Sequence, residues 1–345
     1  MRVLITGLGS IGQRHARNLG AVVGPELELL AYRVRGLRHV ITPELDLDTG
    51  ADVERTFNLK LYSDFDQALS QQPDVVFVTN PNDQHIPIAV TAAQAGCNLF
   101  IEKPLSNSLE GVSELIELVD VKKLVCFVGY QLRFHPCIRR TQSLLNTHVI
   151  GRVISARLTF GEYLPDWHKY EDYRQYHASR KDQGGGVILS QIHDLDYACL
   201  LFGMPRKVFA LGGKFSDLEI DVEDTASILM ECIVDGTPVP VHIHQDYVQR
   251  PPTRTCEVIG EAGKIFLDLN RPSVRVFDDR QRLVEEQIVD DFQRNDLFMD
   301  EIRHFLGCLE RKERPMVTIR DAANSLRVAL AAKASLATGE VVVLS

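Results

Sequence analysis

Short apolar runs and helix-period stretches take turns through the first third of the chain. Val3-Leu4-Ile5-Thr6 is rich in β-branched residues and predicts a buried strand; residues 13–19 follow with a helical pattern. Residues 28–32, 75–79, 98–101 and 124–128 predict further strands, and 64–71, 85–95 and 108–119 predict helices. Strands alternating with helices imply right-handed crossovers and a doubly wound parallel sheet.

From Gly151 the pattern changes. Residues 152–160 (RVISARLTF) alternate, as a half-exposed strand does. Further strands are predicted at 208–212, 225–232, 239–245, 257–259, 264–269 and 274–277. Helices follow at 291–312 and 319–337, with a last strand at 341–344. This run predicts an open antiparallel sheet with helices on one face. The other face needs a partner, which predicts a homodimer or homotetramer through the sheet. The α/β chain therefore divides into two domains, 1–128 and 129–345.

Bulk composition narrows the function. The chain has 345 residues, 45% hydrophobic and 25% charged, with a formal charge of −9. That balance argues against a nucleic-acid partner, which needs a basic footprint. No apolar run is long enough for a membrane span. The N-terminus enters a strand without a signal-peptide pattern, and the 7 cysteines are scattered without a C-x-x-C. Buried thiols in a reducing cytoplasm follow from that distribution.

The first strand runs into Gly7-Leu8-Gly9-Ser10-Ile11-Gly12 and then a helix, the context that gives a G-x-G-x-x-G sequence meaning. Gly7 permits the tight turn, Gly9 lets a pyrophosphate approach the backbone, and Gly12 lets helix and strand pack closely. The N–H groups of Ser10, Ile11 and their neighbours at the helix start suit an anion. An NAD site places a carboxylate about 20 residues beyond these glycines. Here Tyr32-Arg33-Val34-Arg35 stands instead. Arg33 and Arg35 suit a 2′-phosphate, so NADP(H) is preferred over NAD(H); the alternative is that both only solvate a loop. Thr79-Asn80-Pro81 and Glu102-Lys103-Pro104 end later strands, on the side of the sheet where ligands bind.

The set GLGSIG (7–12), TNPNDQH (79–85), EKPL (102–105), GYQLRFHP (129–136) and GGGVILSQIHDLDY (184–197) resembles the Gfo/Idh/MocA family, which includes glucose–fructose oxidoreductase and inositol dehydrogenase. The resemblance implies a Rossmann domain followed by an α/β domain with a large, mostly antiparallel sheet. It implies hydride transfer between a nicotinamide and a hydroxyl or carbonyl carbon of a sugar or sugar derivative, whether acidic, phosphorylated or nucleotide-linked. It implies that Thr79, Asn80, Pro81, His85 and Glu102 join the cofactor site, and that Lys103 approaches both the cofactor and the reacting oxygen. An ammonium there polarises a carbonyl and stabilises a developing alkoxide.

Residues 187–202 read as one helix carrying His193, a fitting general acid/base because imidazole titrates near neutral pH. Family members commonly carry aspartate three residues before that histidine; this chain has Ser190. A serine cannot act as a carboxylate, but it can hold a substrate hydroxyl or a water. The segment 163–176 holds the only tryptophan and four of the nine tyrosines. Tyr163 and Trp167 offer surfaces for sugar C–H faces, and Arg174, with Arg180 and Lys181, suits a substrate anion. The alternative is an aromatic loop clamping the domains or a neighbouring subunit. Arg133 is read as lining the cleft or as an interdomain salt bridge. His242 and His244 share a strand face without a legible third ligand, so no metal site is expected. A non-catalytic NAD(P)-binding sensor and a redox-neutral sugar conversion with retained cofactor stand as the rival functions.

Overall fold

The computed structural model describes residues 1–34, 38–168 and 170–344. The chain forms two compact units. Unit 1 comprises Met1–Tyr130, His168–Asp172 and Asn295–Ala323; unit 2 comprises Gln131–Trp167, Tyr173–Arg294 and Asn324–Ser345. The sequence reading cuts the chain once, at 128/129, whereas these units interleave along it.

Unit 1 is built on β1 (Arg2–Thr6), α1 (Ser10–Val23), β2 (Glu28–Tyr32), β3 (His39–Ile41), β4 (Leu47–Asp52), α2 (Val53–Phe57), β5 (Leu59–Tyr62), α3 (Phe65–Leu69), β6 (Val75–Val78), α4 (His85–Gln94), β7 (Asn98–Glu102), α5 (Val112–Lys122) and β8 (Cys126–Gly129). Six strands form a sheet in the order β5-β2-β1-β6-β7-β8, and every pair is parallel. This is the Rossmann order, with its direction of winding reversing between β1 and β6. The strands are covered on both faces, which explains their unbroken apolar runs. Val3, Leu4, Ile5, Phe77, Phe100 and Phe127 are all sealed from water. The hairpin β3–β4 and strand β5 went unpredicted: β3 (HVI) and β5 (LKLY) are too short to show a period, and β4 (LDTGAD) is largely polar.

Unit 2 contains α6 (Pro136–Asn146), β9 (Val153–Gly161), α7 (Val187–Ser190), α8 (His193–Phe202), β10 (Pro205–Gly213), β11 (Thr225–Val234), β12 (Thr237–Asp246), β13 (Thr253–Gly260), β14 (Gly263–Asp268), β15 (Ser273–Asp278) and β16 (Leu283–Ile288). Helix α9 (Arg294–Leu309) then returns to unit 1. Helix α10 (Ile319–Thr338) leads back to unit 2 and β17 (Val342–Val343). Nine strands form a sheet in the order β16-β15-β14-β13-β9-β12-β11-β10-β17. Only the β9–β12 pair is parallel. Helices α6 and α8 pack on one face, over Leu158, Ile228 and Ile243. The other face presents Phe209, Leu211, Leu229, Pro240 and His242. Leu211 and Leu229 there are 64% and 50% exposed. The charged edge strand β16 (LVEEQI) also escaped prediction.

Residues 187–202 are not one helix. Gln191 leaves helical geometry at φ −100°, ψ 28°, and α8 starts afresh at His193. The break is held by β12: Gln245 Nε2 donates to the Gln191 carbonyl at 2.7 Å, and Gln191 Nε2 donates to the Asp246 carbonyl at 3.0 Å. Ser190 and His193 thus sit on separate helices, not on the single helix that the sequence predicts. Among the described residues no helix is long and apolar enough to cross a membrane.

Candidate functional site

The glycine loop follows β1 directly. Gly7 has φ +118°, a region side-chain-bearing residues avoid. A Cβ on Gly12 would stand 2.0 Å from the Gly7 carbonyl oxygen, so helix and turn require glycine there; a Cβ on Gly9 would meet nothing within 4 Å. Helix α1 starts without a side-chain cap and without an acidic residue in its first turn. Its leading N–H groups, with Ser10 and Ile11 among the first helical residues, present a positive end to an anion. These features fit the pyrophosphate of a nicotinamide dinucleotide.

Loop 79–81 follows β6, next to β1 in the sheet. Thr79 Oγ1 donates to the Gly7 carbonyl at 2.8 Å and so ties this loop to the glycine turn. His85 ties it to the next one. Its Nε2 lies 2.8 Å from the Asn80 carbonyl and its Nδ1 lies 2.8 Å from the Pro104 carbonyl. Burial pushes its pKa down, against the pull of those two carbonyls. His85 therefore acts here as a brace between loops.

Strand β7 ends on Glu102 because that carboxylate turns inward. Its Oε1 meets His15 Nε2 at 2.7 Å, and its Oε2 accepts the backbone N–H of Lys103 at 3.2 Å. Gly129 on β8 leaves the room: a Cβ there would stand 3.2 Å from Glu102 Oε1. Lys103, partly exposed, follows at the C-terminal end of the sheet. Arg33 lies just beyond β2, with Glu54, Arg38 and Asp52 as its charged neighbours; burial lowers its pKa. Arg35 lies outside the described residues.

In unit 2, His193 opens α8 and is buried. Both carboxylates near it are engaged elsewhere. Asp194 accepts Arg254 Nη2 at 2.6 Å. Asp196 takes a two-pronged bond from Arg133, Nε at 2.8 Å and Nη2 at 2.7 Å, together with the Ser325 hydroxyl at 2.8 Å. The planar match to a buried carboxylate holds Arg133 against Asp196 inside unit 2. Ser190 lies against the Tyr247 hydroxyl, which itself reaches the Ala178 carbonyl at 3.4 Å. Trp167 stands edge-on to Tyr247, with ring centroids 5.3 Å apart. Tyr163 lies under the Arg250 guanidinium at 3.8 Å, and Arg174 pairs with Glu219 at 2.8 Å on the surface. His244 Nδ1 is 3.0 Å from Ser227 Oγ, and the described residues hold no group of three metal-ligating side chains.

Three residues were missed. Tyr170 sits in the part of the aromatic segment that belongs to unit 1, and its hydroxyl reaches the Ser10 side chain; burial raises it to about 12. His15 follows the last motif glycine by three residues, a spacing that could have flagged it. Tyr247 had no local signal.

Two family models match. One, described as an oxidoreductase family with an NAD-binding Rossmann fold, covers residues 1–130. The other, the GFO/IDH/MocA C-terminal domain, covers 138–266. The myo-inositol 2-dehydrogenase of Thermotoga maritima is 28% identical over 352 residues, spanning 97% of this chain and 96% of the relative. A 2,7-anhydro-N-acetylneuraminate hydratase of Mediterraneibacter gnavus is 28% identical over 197 residues, 55% of this chain and 50% of the relative. The crystal structure of the WlbA dehydrogenase of Bordetella pertussis, in complex with NADH and UDP-GlcNAcA, superposes with a TM-score of 0.79 at 20% identity, covering 100% of this chain and 99% of that one. With both domain models matched in order along a chain whose strand ends carry the glycine loop and the Glu102-Lys103-Pro104 turn, the protein belongs to the Gfo/Idh/MocA family of NAD(P)-dependent oxidoreductases.

Proposed function

We propose that this oxidoreductase moves hydride between a nicotinamide and a hydroxyl or carbonyl carbon of a sugar or polyol derivative. One observation carries the reading. The glycine loop, loop 79–81 and the Lys103 turn stand at the C-terminal ends of three adjacent parallel strands, β1, β6 and β7. The bound nicotinamide supplies or accepts the hydride. Gly7, Gly9, Ser10, Ile11 and Gly12 cradle the pyrophosphate through backbone N–H groups. Thr79, Asn80 and Pro81 position the nicotinamide ribose, with His85 and Glu102 holding their loops in place. Lys103 polarises the reacting oxygen and steadies negative charge on it. His193 carries the hydroxyl proton. Tyr163, Trp167, Arg174 and Ser190 form the proposed sugar contacts; inositol and nucleotide-linked, acidic sugars named for the relatives define the first substrates to try.

Arg33, with Arg35 beside it in sequence, supports a preference for NADP(H). The open apolar face around Leu211 and Leu229 supports assembly into a homodimer or tetramer through the large sheet. The buried, unpaired thiols suit a reducing, cytoplasmic setting.

A redox-neutral conversion with retained cofactor is favoured by two particulars: Ser190 in place of the usual aspartate, and the likeness to a hydratase. The test is an absorbance assay with NADPH, NADP⁺, NADH and NAD⁺ against a panel of inositols, keto- and hydroxy-sugars and UDP-sugars. Net nicotinamide turnover supports the dehydrogenase reading. Product formation without turnover supports the redox-neutral one. In the active combination, Lys103→Met should lower kcat by about a hundredfold or more with cofactor Kd unchanged; unchanged kcat removes Lys103 from the chemistry.

A further inference from the structure

Three titratable side chains lie together in the apolar interior of unit 1, next to the Lys103 turn. His15 from α1 and Glu102 from β7 are bonded at 2.7 Å. Glu301, from α9, is wholly buried. Among the described residues neither of its carboxyl oxygens has a hydrogen-bond partner. Glu102 is the charge that acts on it. Phe77, Phe100 and Phe298 surround the His15 ring. Of the other charged groups on α1 and α9, Arg17 donates to the Ile41 carbonyl and Arg303 pairs with Asp300. Arg14 on α1 lies over Phe298 and bonds Asn295, and His304 on α9 bonds Glu313.

The donors decide where the protons sit. Glu102 has two, the His15 ring and the Lys103 backbone N–H. Glu301 has none, and a carboxylate without donors in an apolar interior is costly. Two neighbouring carboxylates in a dry site also resist being charged together. His15 turns Nε2 to Glu102, and its Nδ1 has no partner among the described residues. Burial pushes the Glu301 carboxyl well above the ordinary range, with Glu102 adding to it.

We propose that Glu301 is a carboxylic acid kept protonated in the working protein, which confines the negative charge of this core to Glu102, where it anchors the Lys103 backbone. Glu301 is thus a positioning residue. The proton placement stands independently of the dehydrogenase reading; only its importance for turnover rests on that reading.

Glu301→Gln preserves shape and neutrality. The sign of its effect follows from linkage. Below the pKa of an unfolded glutamate both states hold the proton and this group costs no stability. Between that value and the raised folded value only the unfolded chain releases it, so stability falls as pH rises. Glutamine removes that loss. The melting temperature of the full-length variant should therefore gain on wild type between pH 5 and pH 8.5, by about 2 °C or more. A variant that loses ground as pH rises shows an ionised Glu301 and overturns the proposal. Infrared spectra of the wild-type protein provide an arm that needs no variant: an un-ionised carboxyl band persisting at pH 8 is expected, and its absence overturns the proposal. None of these measurements uses a sugar substrate, so their failure is separable from failure of the proposed activity.

Discussion

Arg33 is where cofactor choice should be decided. It stands just beyond β2, where an NAD-selective site carries an acid, with Glu54 and Asp52 among its charged neighbours. Arg33→Asp should lower the NADP(H)/NAD(H) affinity ratio by about tenfold or more, read by fluorescence titration with both cofactors. An unmoved ratio would leave the arginine a loop solvator. Residues such as this were legible because each sits at a fixed offset from a motif. Lys103 and His193 were legible for the same reason. Tyr247 and Glu301 were not: each gains its role from a contact more than 50 positions away, and nothing in a local window distinguishes a core glutamate from a surface one. Arg133 gains its partner Asp196 from 63 positions on, a pairing its sequence context did not announce.

At the scale of elements, the β1–loop–α1 turn tolerates no side chain at its last glycine. Gly12→Val places atoms within the Gly7 carbonyl, so cofactor binding should be lost by titration while unit 2 keeps its fold by circular dichroism. The Arg133–Asp196 pair makes a second case. Asp196→Ala leaves a buried guanidinium uncompensated and should cost about 3–5 kcal/mol in chemical denaturation. Arg133→Met with Asp196→Leu should recover much of that loss. Most strands and helices were readable from period alone, within a few residues at their ends, but α6 (Pro136–Asn146) went unpredicted. The break at Gln191–Ile192 was not, because it is imposed by Gln245 reaching across from β12, and helix propensity is silent about such a clamp. Strand β4 and the edge strand β16 lack a buried face, so they lack the pattern that buried faces write.

For the whole molecule, the apolar face around Leu229 sets the assembly prediction. Leu229→Lys should shift the protein to a smaller species in sedimentation velocity, with its cofactor affinity kept; an unchanged sedimentation coefficient would assign that face to something other than self-association. Both fold classes were visible from alternation, but the interleaving of the units was not, since helix α9 reads like any amphipathic helix of the second domain.

That return of α9 has a consequence for biosynthesis. Phe305 closes the aromatic stack of Phe77, Phe100 and Phe127, yet it is translated only after nearly all of unit 2. At ribosomal speeds the nascent N-terminal sheet waits roughly 10–30 s with that greasy flank uncovered. A gene truncated after Tyr130 would make the wait permanent, and its product should collect in inclusion bodies or on chaperones.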